Sequence, residues 1–218
     1  MRRLDKQQFD TCYATDNGGM YMNGINNYLI DMDGVLVQGE KLLPGAASFV
    51  QQLQAQRIPF LILTNNSQYT PRDLQVRLSY LGLEVPPESI FTSALATAQF
   101  LHNQRPSGRA YVIGESGLTT ALHDIGYVLT DQEPEYVVLG ETTAFSFDRI
   151  TRAIRFVRAG ARFIATNPDV IGPGEGGIVP ATGTVAASIR AAVTTREQAE
   201  RFPFRPTWIQ NSIADVEV

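Results

Sequence analysis

The chain has 218 residues, 44% of them apolar, and a net charge of -4, which allows one or two packed domains and argues against a nucleic-acid or anionic-membrane surface. One cysteine, Cys12, excludes an internal disulfide and a cysteine metal cluster, and two histidines, His102 and His123, do not suit a histidine-rich metal site. No apolar run nears the ~20 residues of a membrane span, and none follows Arg2 and Arg3 as a signal peptide would need, so the sequence reads as soluble and cytoplasmic.

Residues 1–26 are polar, with little periodicity, and read as a flexible leader in which Met20 or Met22 is a further candidate start. Tyr28-Leu29-Ile30 is short and apolar, as a buried strand is. Asp31 then falls at the strand's carboxyl end, where open α/β sheets place their ligands, and Asp33 and Gly34 follow. Three readings compete here. An acidic surface turn is the plainest. A calcium loop fails on spacing, because its sixth and twelfth positions would be Leu36 and Leu42 instead of Gly and Glu. The third is a nucleophilic aspartate with a partner acid, two close carboxylates that need an ion or a proton between them.

Pro44-Gly45 opens a helix over 46–56, and Pro59–Leu63 is a second buried strand ending at Thr64-Asn65-Asn66. A strand–helix–strand unit of this length, on the order of 30 residues, predicts parallel neighbours with Asp31 and Thr64 at one rim. Thr70-Pro71 starts the next helix as N-cap and first residue, and Gly82 ends it. Ser89–Ser93 is a short strand, with a helix from Ala94 to Leu101.

A second α/β pattern follows: strands at 110–114, 136–140 and 162–166, and helices at 117–125 and 147–159. The last strand leads into Asn167-Pro168-Asp169. Gly172–Gly177 lacks the lysine and helix of a P-loop and reads as a surface loop. Residues 181–192 form a helical run, and Pro206–Ile209 a short strand.

These residues resemble the haloacid dehalogenase superfamily, in its type IIA sugar-phosphatase branch. The resemblance is carried by Asp31-Met32-Asp33-Gly34-Val35-Leu36, Leu63-Thr64-Asn65-Asn66-Ser67, Thr92-Ser93-Ala94, Ala165-Thr166-Asn167-Pro168-Asp169 and Phe204-Arg205-Pro206-Thr207-Trp208-Ile209. It implies an α/β protein: a parallel-sheet, Rossmann-like core with an inserted α/β cap. The corresponding division is a leader at 1–26, core at 27–99, cap at 100–180 and remaining core at 181–218. It also implies a Mg²⁺-dependent phosphomonoesterase acting on a small phosphorylated metabolite such as a sugar phosphate.

By that resemblance Asp31 is the nucleophile that forms an aspartyl-phosphate, and Asp33 is the general acid and base. Asp31 and Asp33 also hold the magnesium, while Thr64, Asn65 and Asn66 bind the phosphate end of the substrate. Asn167 and Asp169 reach the substrate from the cap. A plain turn is the competing reading at Thr64–Asn66 and at Asn167–Asp169.

The sequence departs from the family in one region. The resemblance calls for a lysine after the cap and a distant acidic pair, but the lysines are Lys6 and Lys41, and the acids after Asp169 are Glu175, Glu197, Glu200, Asp215 and Glu217. Ile189–Ala192 resembles the helix just after the cap, and Val193–Glu197 already resembles the family's last segment. About two strand–helix units, on the order of 60 residues, are absent between them. The expected core is therefore incomplete beside the Asp31 strand, and another copy of the chain is one way to fill it. A non-catalytic remnant that binds phosphorylated ligands or a partner subunit is the alternative to an enzyme.

Overall fold

The structure, a computed structural model, describes residues 27–174 and 177–193. The expected leader, the Pro206–Ile209 strand and the Phe204–Ile209 motif lie outside the described residues.

The first sheet comprises β1 (Tyr28–Asp31), β4 (Phe60–Thr64) and β5 (Ile90–Thr92), all parallel and in the order β1–β4–β5. One face is closed. Ile30, Ile62 and Ile90 pack with Val50 and Leu53 of α1 (Ala46–Ala55) and with Leu74 and Leu78 of α2 (Pro71–Tyr80). α1 buries residues four and seven apart, Ala46, Val50 and Leu53, and α2 buries two residues four apart, Leu74 and Leu78, as a helix with one apolar stripe does. The Thr70 N-cap and Pro71 start of α2 stand as expected, with a reciprocal capping box between Thr70 and Asp73. Such a cap contributes about 1 kcal/mol.

The opposite face is more open. Leu29 is 66% exposed, and its neighbours Leu61, Leu63 and Phe91 are only partly buried. Parallel sheets ordinarily have both faces covered. Among the described residues β1 also ends the strand order, on the flank where the sequence led us to expect missing strands.

Between β1 and α1 the chain makes a small antiparallel hairpin, β2 (Val37–Gln38) and β3 (Lys41–Leu42). Gly34 starts it with a φ of +84°, a conformation that a side chain would strain. Its amide donates to the Val37 carbonyl at 2.7 Å, so the chain reverses immediately after Asp33.

The second sheet has the order β7–β6–β8–β9 and is wholly parallel: β6 (Arg109–Ile113), β7 (Val128–Leu129), β8 (Tyr136–Leu139), β9 (Arg162–Ala165). All four β8 residues are buried, as an interior strand covered on both faces requires. On one face, α3 (Ser93–Gln104) and α4 (Ser116–Asp124) bring Ala94, Ala98, Leu101, Leu118 and Leu122 against Ala110, Tyr136 and Val138. On the other, α5 (Phe147–Arg158) and α6 (Thr182–Val193) bring Ala153, Val185, Ala186 and Ile189 against Tyr111, Ile113, Val137 and Leu139.

α3 runs across position 99/100 and its buried stripe belongs to the second sheet's core, so packing changes at about residue 93. α6, beyond position 180/181, buries its apolar residues in that second core as well. One expectation needs correction. Gly172–Gly177 is not a plain loop, because β10 (Ile171–Gly174) and β11 (Gly177–Pro180) pair as an antiparallel hairpin. No described helix is long and apolar enough to cross a membrane.

Candidate active site

Parallel register does the first part of the assembly. Asp31 pairs with Leu63 and Thr64 with Thr92, so three strands end together at one rim. Asp31 occupies the last position of β1, and the Gly34 turn keeps Asp33 beside it. The Thr64 hydroxyl donates to Asp33 Oδ2 at 3.2 Å and accepts from the Asn66 amide at 3.0 Å. Burial holds the Asp33 carboxyl above its ordinary pKa. The Thr64 hydrogen bond opposes that rise, the Asp31 charge adds to it, and the Arg77 guanidinium lowers it. Arg77 lies over the Tyr69 ring, 4.4 Å from its centroid.

The loop after β4 carries the link to the second unit. Asn65 Nδ2 donates to Asp169 Oδ2 at 2.8 Å, and Asn167 Nδ2 donates to the Asn65 carbonyl at 3.3 Å. The Ser93 hydroxyl donates to that same carbonyl at 2.6 Å. Ser67, fully buried, receives the Glu141 amide at 2.8 Å and the Thr166 hydroxyl at 3.2 Å. The ends of β8 and β9, aligned at Leu139 and Ala165, thus face the loop that holds Thr64.

The expected site residues therefore converge: Asp31, Asp33 and Thr64 at the first sheet's rim, and Asn65 with Asn167 and Asp169 across the seam. Asn66 Oδ1 accepts the Gln68 and Tyr69 amides at 3.0 Å each, so that oxygen shapes the loop. Ser67, Ser93, Glu141 and Thr166 were not singled out as site residues. A signal existed for Glu141: it is an acid that follows a buried strand after a single glycine, Gly140.

Among the described residues no three His, Cys, Asp or Glu side chains are grouped to hold a metal ion by themselves. The two-carboxylate rim still fits magnesium, which takes one or two carboxylates and fills its other positions with water and substrate phosphate.

Residues 28–128 match the family model of the haloacid dehalogenase-like hydrolases. NagD from Escherichia coli K-12 has a solved structure to which this fold aligns with a TM-score of 0.72 and 39% identity, covering 83% of this chain and 68% of NagD. The chain belongs to the haloacid dehalogenase-like hydrolase family. Within that family it falls in the NagD-like branch.

A dihydroxyacetone phosphatase from Corynebacterium glutamicum is 59% identical over 166 residues, 76% of this chain and 60% of that protein. The ribonucleotide monophosphatase NagD is 41% identical over 165 residues, 76% of this chain and 64% of its own length. The chain thus spans less than two thirds of these curated relatives. A glycerol phosphate phosphatase from Mycobacterium tuberculosis, solved in complex with magnesium, aligns with a TM-score of 0.73 at 28% identity, over 77% of this chain and 51% of that one.

Proposed function

We propose that the protein is a phosphomonoester hydrolase for small phosphorylated metabolites such as sugar phosphates, working through an aspartyl-phosphate. The observation that carries this is the bond from Thr64 to Asp33 at the rim where Asp31 ends its strand. Similarity to phosphatases named for dihydroxyacetone phosphate, ribonucleotides and glycerol phosphate supports the substrate class.

Asp31 attacks phosphorus, and its new O–P bond forms as the bond to the leaving oxygen breaks. Asp33 gives its proton to that leaving alkoxide and then takes one from the water that cleaves the aspartyl-phosphate. Its raised pKa suits the first task, since a carboxyl must keep a proton to donate it. Thr64 and the Asn65 amide hold phosphate oxygens. The Asp31 carboxylate and the Asp33 carbonyl would hold Mg²⁺, which supplies charge neutralisation between two anions when bound. A reducing cytoplasm fits the single cysteine, and a homo-oligomer is one way to cover the open face of the first sheet.

The second reading is a non-catalytic phosphate-ligand or subunit-binding remnant. It is favoured by one observation: the only lysines are Lys6 and Lys41, so the phosphate-neutralising lysine after the cap is missing. Hydrolysis of p-nitrophenyl phosphate by the purified chain with Mg²⁺, lost in Asp31→Asn, supports the enzyme. Phosphate-ester binding without turnover supports the remnant, and turnover that survives Asp31→Asn sinks the nucleophile assignment.

A further inference from the structure

Ser67 lies three residues past Thr64 and is fully buried, so its hydroxyl does not meet a substrate. That hydroxyl ends on the rim of the second sheet, where it accepts the Glu141 amide at 2.8 Å and the Thr166 hydroxyl at 3.2 Å. The next residue is held as well. The Gln68 carbonyl accepts the Gly117 amide at 2.9 Å and the Ser116 hydroxyl at 3.3 Å. Both donors belong to the first turn of α4, whose N-cap residue Glu115 makes no side-chain cap bond. The loop after β4 thus satisfies an amide that a helix ordinarily gives to its own N-cap. The fit has no slack. A Cβ on Gly117 would stand 2.5 Å from the Tyr69 carbonyl oxygen and 2.8 Å from that of Ser67, and one on Gly140 would stand 3.1 Å from Ser67 Oγ.

The same loop is tied inward to the first sheet's rim. The Asn66 amide donates to Thr64 Oγ1, and that hydroxyl donates to Asp33. One short segment is therefore anchored in the second unit at one end and carries Thr64 and Asn65 at the other. We propose that Ser67 is a positioning residue: seated in the second sheet, it fixes the backbone that presents Thr64 and the Asn65 amide to the phosphate group. On the phosphatase reading, on which this rests, the second unit thereby shares in holding the phosphate. Ser67→Ala leaves the Glu141 amide without its partner, and a buried unpaired donor forces the loop to shift. A misplacement of about 1 Å in a binding group costs up to about a hundredfold in rate.

Ser67→Ala and the milder Thr166→Val test this, assayed with Mg²⁺ at a temperature where both are folded. The probes are inorganic phosphate as inhibitor, and glycerol phosphate and p-nitrophenyl phosphate as substrates. Expected is a phosphate inhibition constant raised about tenfold in Ser67→Ala and about threefold in Thr166→Val. kcat/KM should fall by the same factor on both esters, because they share the phosphate and not the leaving group. Tyr127→Phe, which removes hydrogen bonds elsewhere in the second unit, is the control: it should lose stability and leave the inhibition constant unchanged. An unchanged constant in Ser67→Ala, or a loss on one ester alone, would mean that Ser67 only braces the seam, and would overturn the proposal. Should Ser67→Ala fail to fold, Thr166→Val decides by the same readings. A wild-type chain that turns over neither ester removes the catalytic reading, and calorimetric binding of inorganic phosphate to wild type and variant then decides for or against Ser67 on its own. A wild-type chain that binds no phosphate overturns both.

Discussion

Asn65 and Asp169 lie 104 positions apart in the chain, yet the Asn65 amide group donates to the Asp169 carboxylate at 2.8 Å. That bond joins the loop after β4 to the loop after β9, and so ties the rim of the first sheet to the second unit. Together with the Asn167–Asn65 and Glu141–Ser67 bonds it sets the distance between the two sheets at the site.

The link is exposed, so its contribution to stability is small, about 0.5–1.5 kcal/mol. Asn65→Ala and Asp169→Ala should each raise KM for a phosphate ester more than they lower kcat. A double-mutant cycle on unfolding free energy should give a coupling of about 0.5–1 kcal/mol. A coupling of zero would mean that the bond does not hold the two loops together in solution.

On the proposed mechanism Asp33 gives a sharper test, because the two tasks assigned to it there depend differently on the leaving group. An alkoxide needs a proton as it departs, whereas nitrophenolate is stable without one. Asp33→Asn should therefore lower turnover of glycerol phosphate by about 10²–10⁴-fold. With p-nitrophenyl phosphate the same variant should release a burst of nitrophenolate equal to the enzyme present, followed by slow hydrolysis of the aspartyl-phosphate. Rapid-mixing absorbance reads the burst. Its absence, together with an equal loss on both substrates, would assign Asp33 to positioning instead of proton transfer.

The residues with local signals were the ones the sequence made legible. Asp31, Asp33 and Thr64 each follow a short apolar strand, so their place at a strand end could be read from the run that precedes them, and parallel pairing did the rest. Thr70-Pro71 was legible as a helix start because the capping chemistry is local. The packing of α3 and α6 was not, because each helix declares its loyalty only through the sheet that it packs against. An alanine-rich stripe such as Ala94-Ala98-Leu101 suits either core by periodicity alone. The β10–β11 hairpin was hidden by its glycines, which carry no alternating pattern. The roles of Ser67 and Ser93 were hidden for another reason: a buried hydroxyl has meaning only through distant partners, Glu141 and Thr166 for the first, the Asn65 carbonyl for the second.

Gly183 links α6 to the site through backbone contact. Its amide donates to the Asp169 carbonyl at 2.7 Å, and a Cβ there would stand 2.2 Å from the Pro168 carbonyl oxygen. Backbone cannot swing aside as a flexible side chain does. Gly183→Ala should push the Pro168-Asp169 segment away from Asn65, at a cost of about 1–3 kcal/mol. Thermal unfolding should show the loss, and KM for a phosphate ester should rise with it. Gly172→Ala is the control, since a Cβ there meets the Ala181 Cβ at an ordinary 3.8 Å. Equal stability for the two variants would mean that the Pro168-Asp169 loop is free to move.

Tyr127 makes stability in the second unit depend on pH. Its hydroxyl donates to the Arg105 carbonyl at 2.8 Å and to the Leu101 carbonyl at 3.3 Å, under a ring that is 2% exposed. Burial pushes the phenol pKa from 10.0 up to about 12; Tyr136 and Glu135 add to the rise, and Arg105 opposes it. A folded pKa above the unfolded one means that the protonated phenol is favoured by folding. Its contribution is complete below pH 10 and is lost as pH rises through 12. Tyr127→Phe should cost about 0.5–1.5 kcal/mol near pH 8 through the lost hydrogen bonds. The gap between wild type and variant in urea midpoint should then narrow above pH 10, while the remaining tyrosines titrate alike in both proteins. A gap that stays constant to pH 12 would show that the Tyr127 hydroxyl ionises as freely in the folded chain as in the unfolded one.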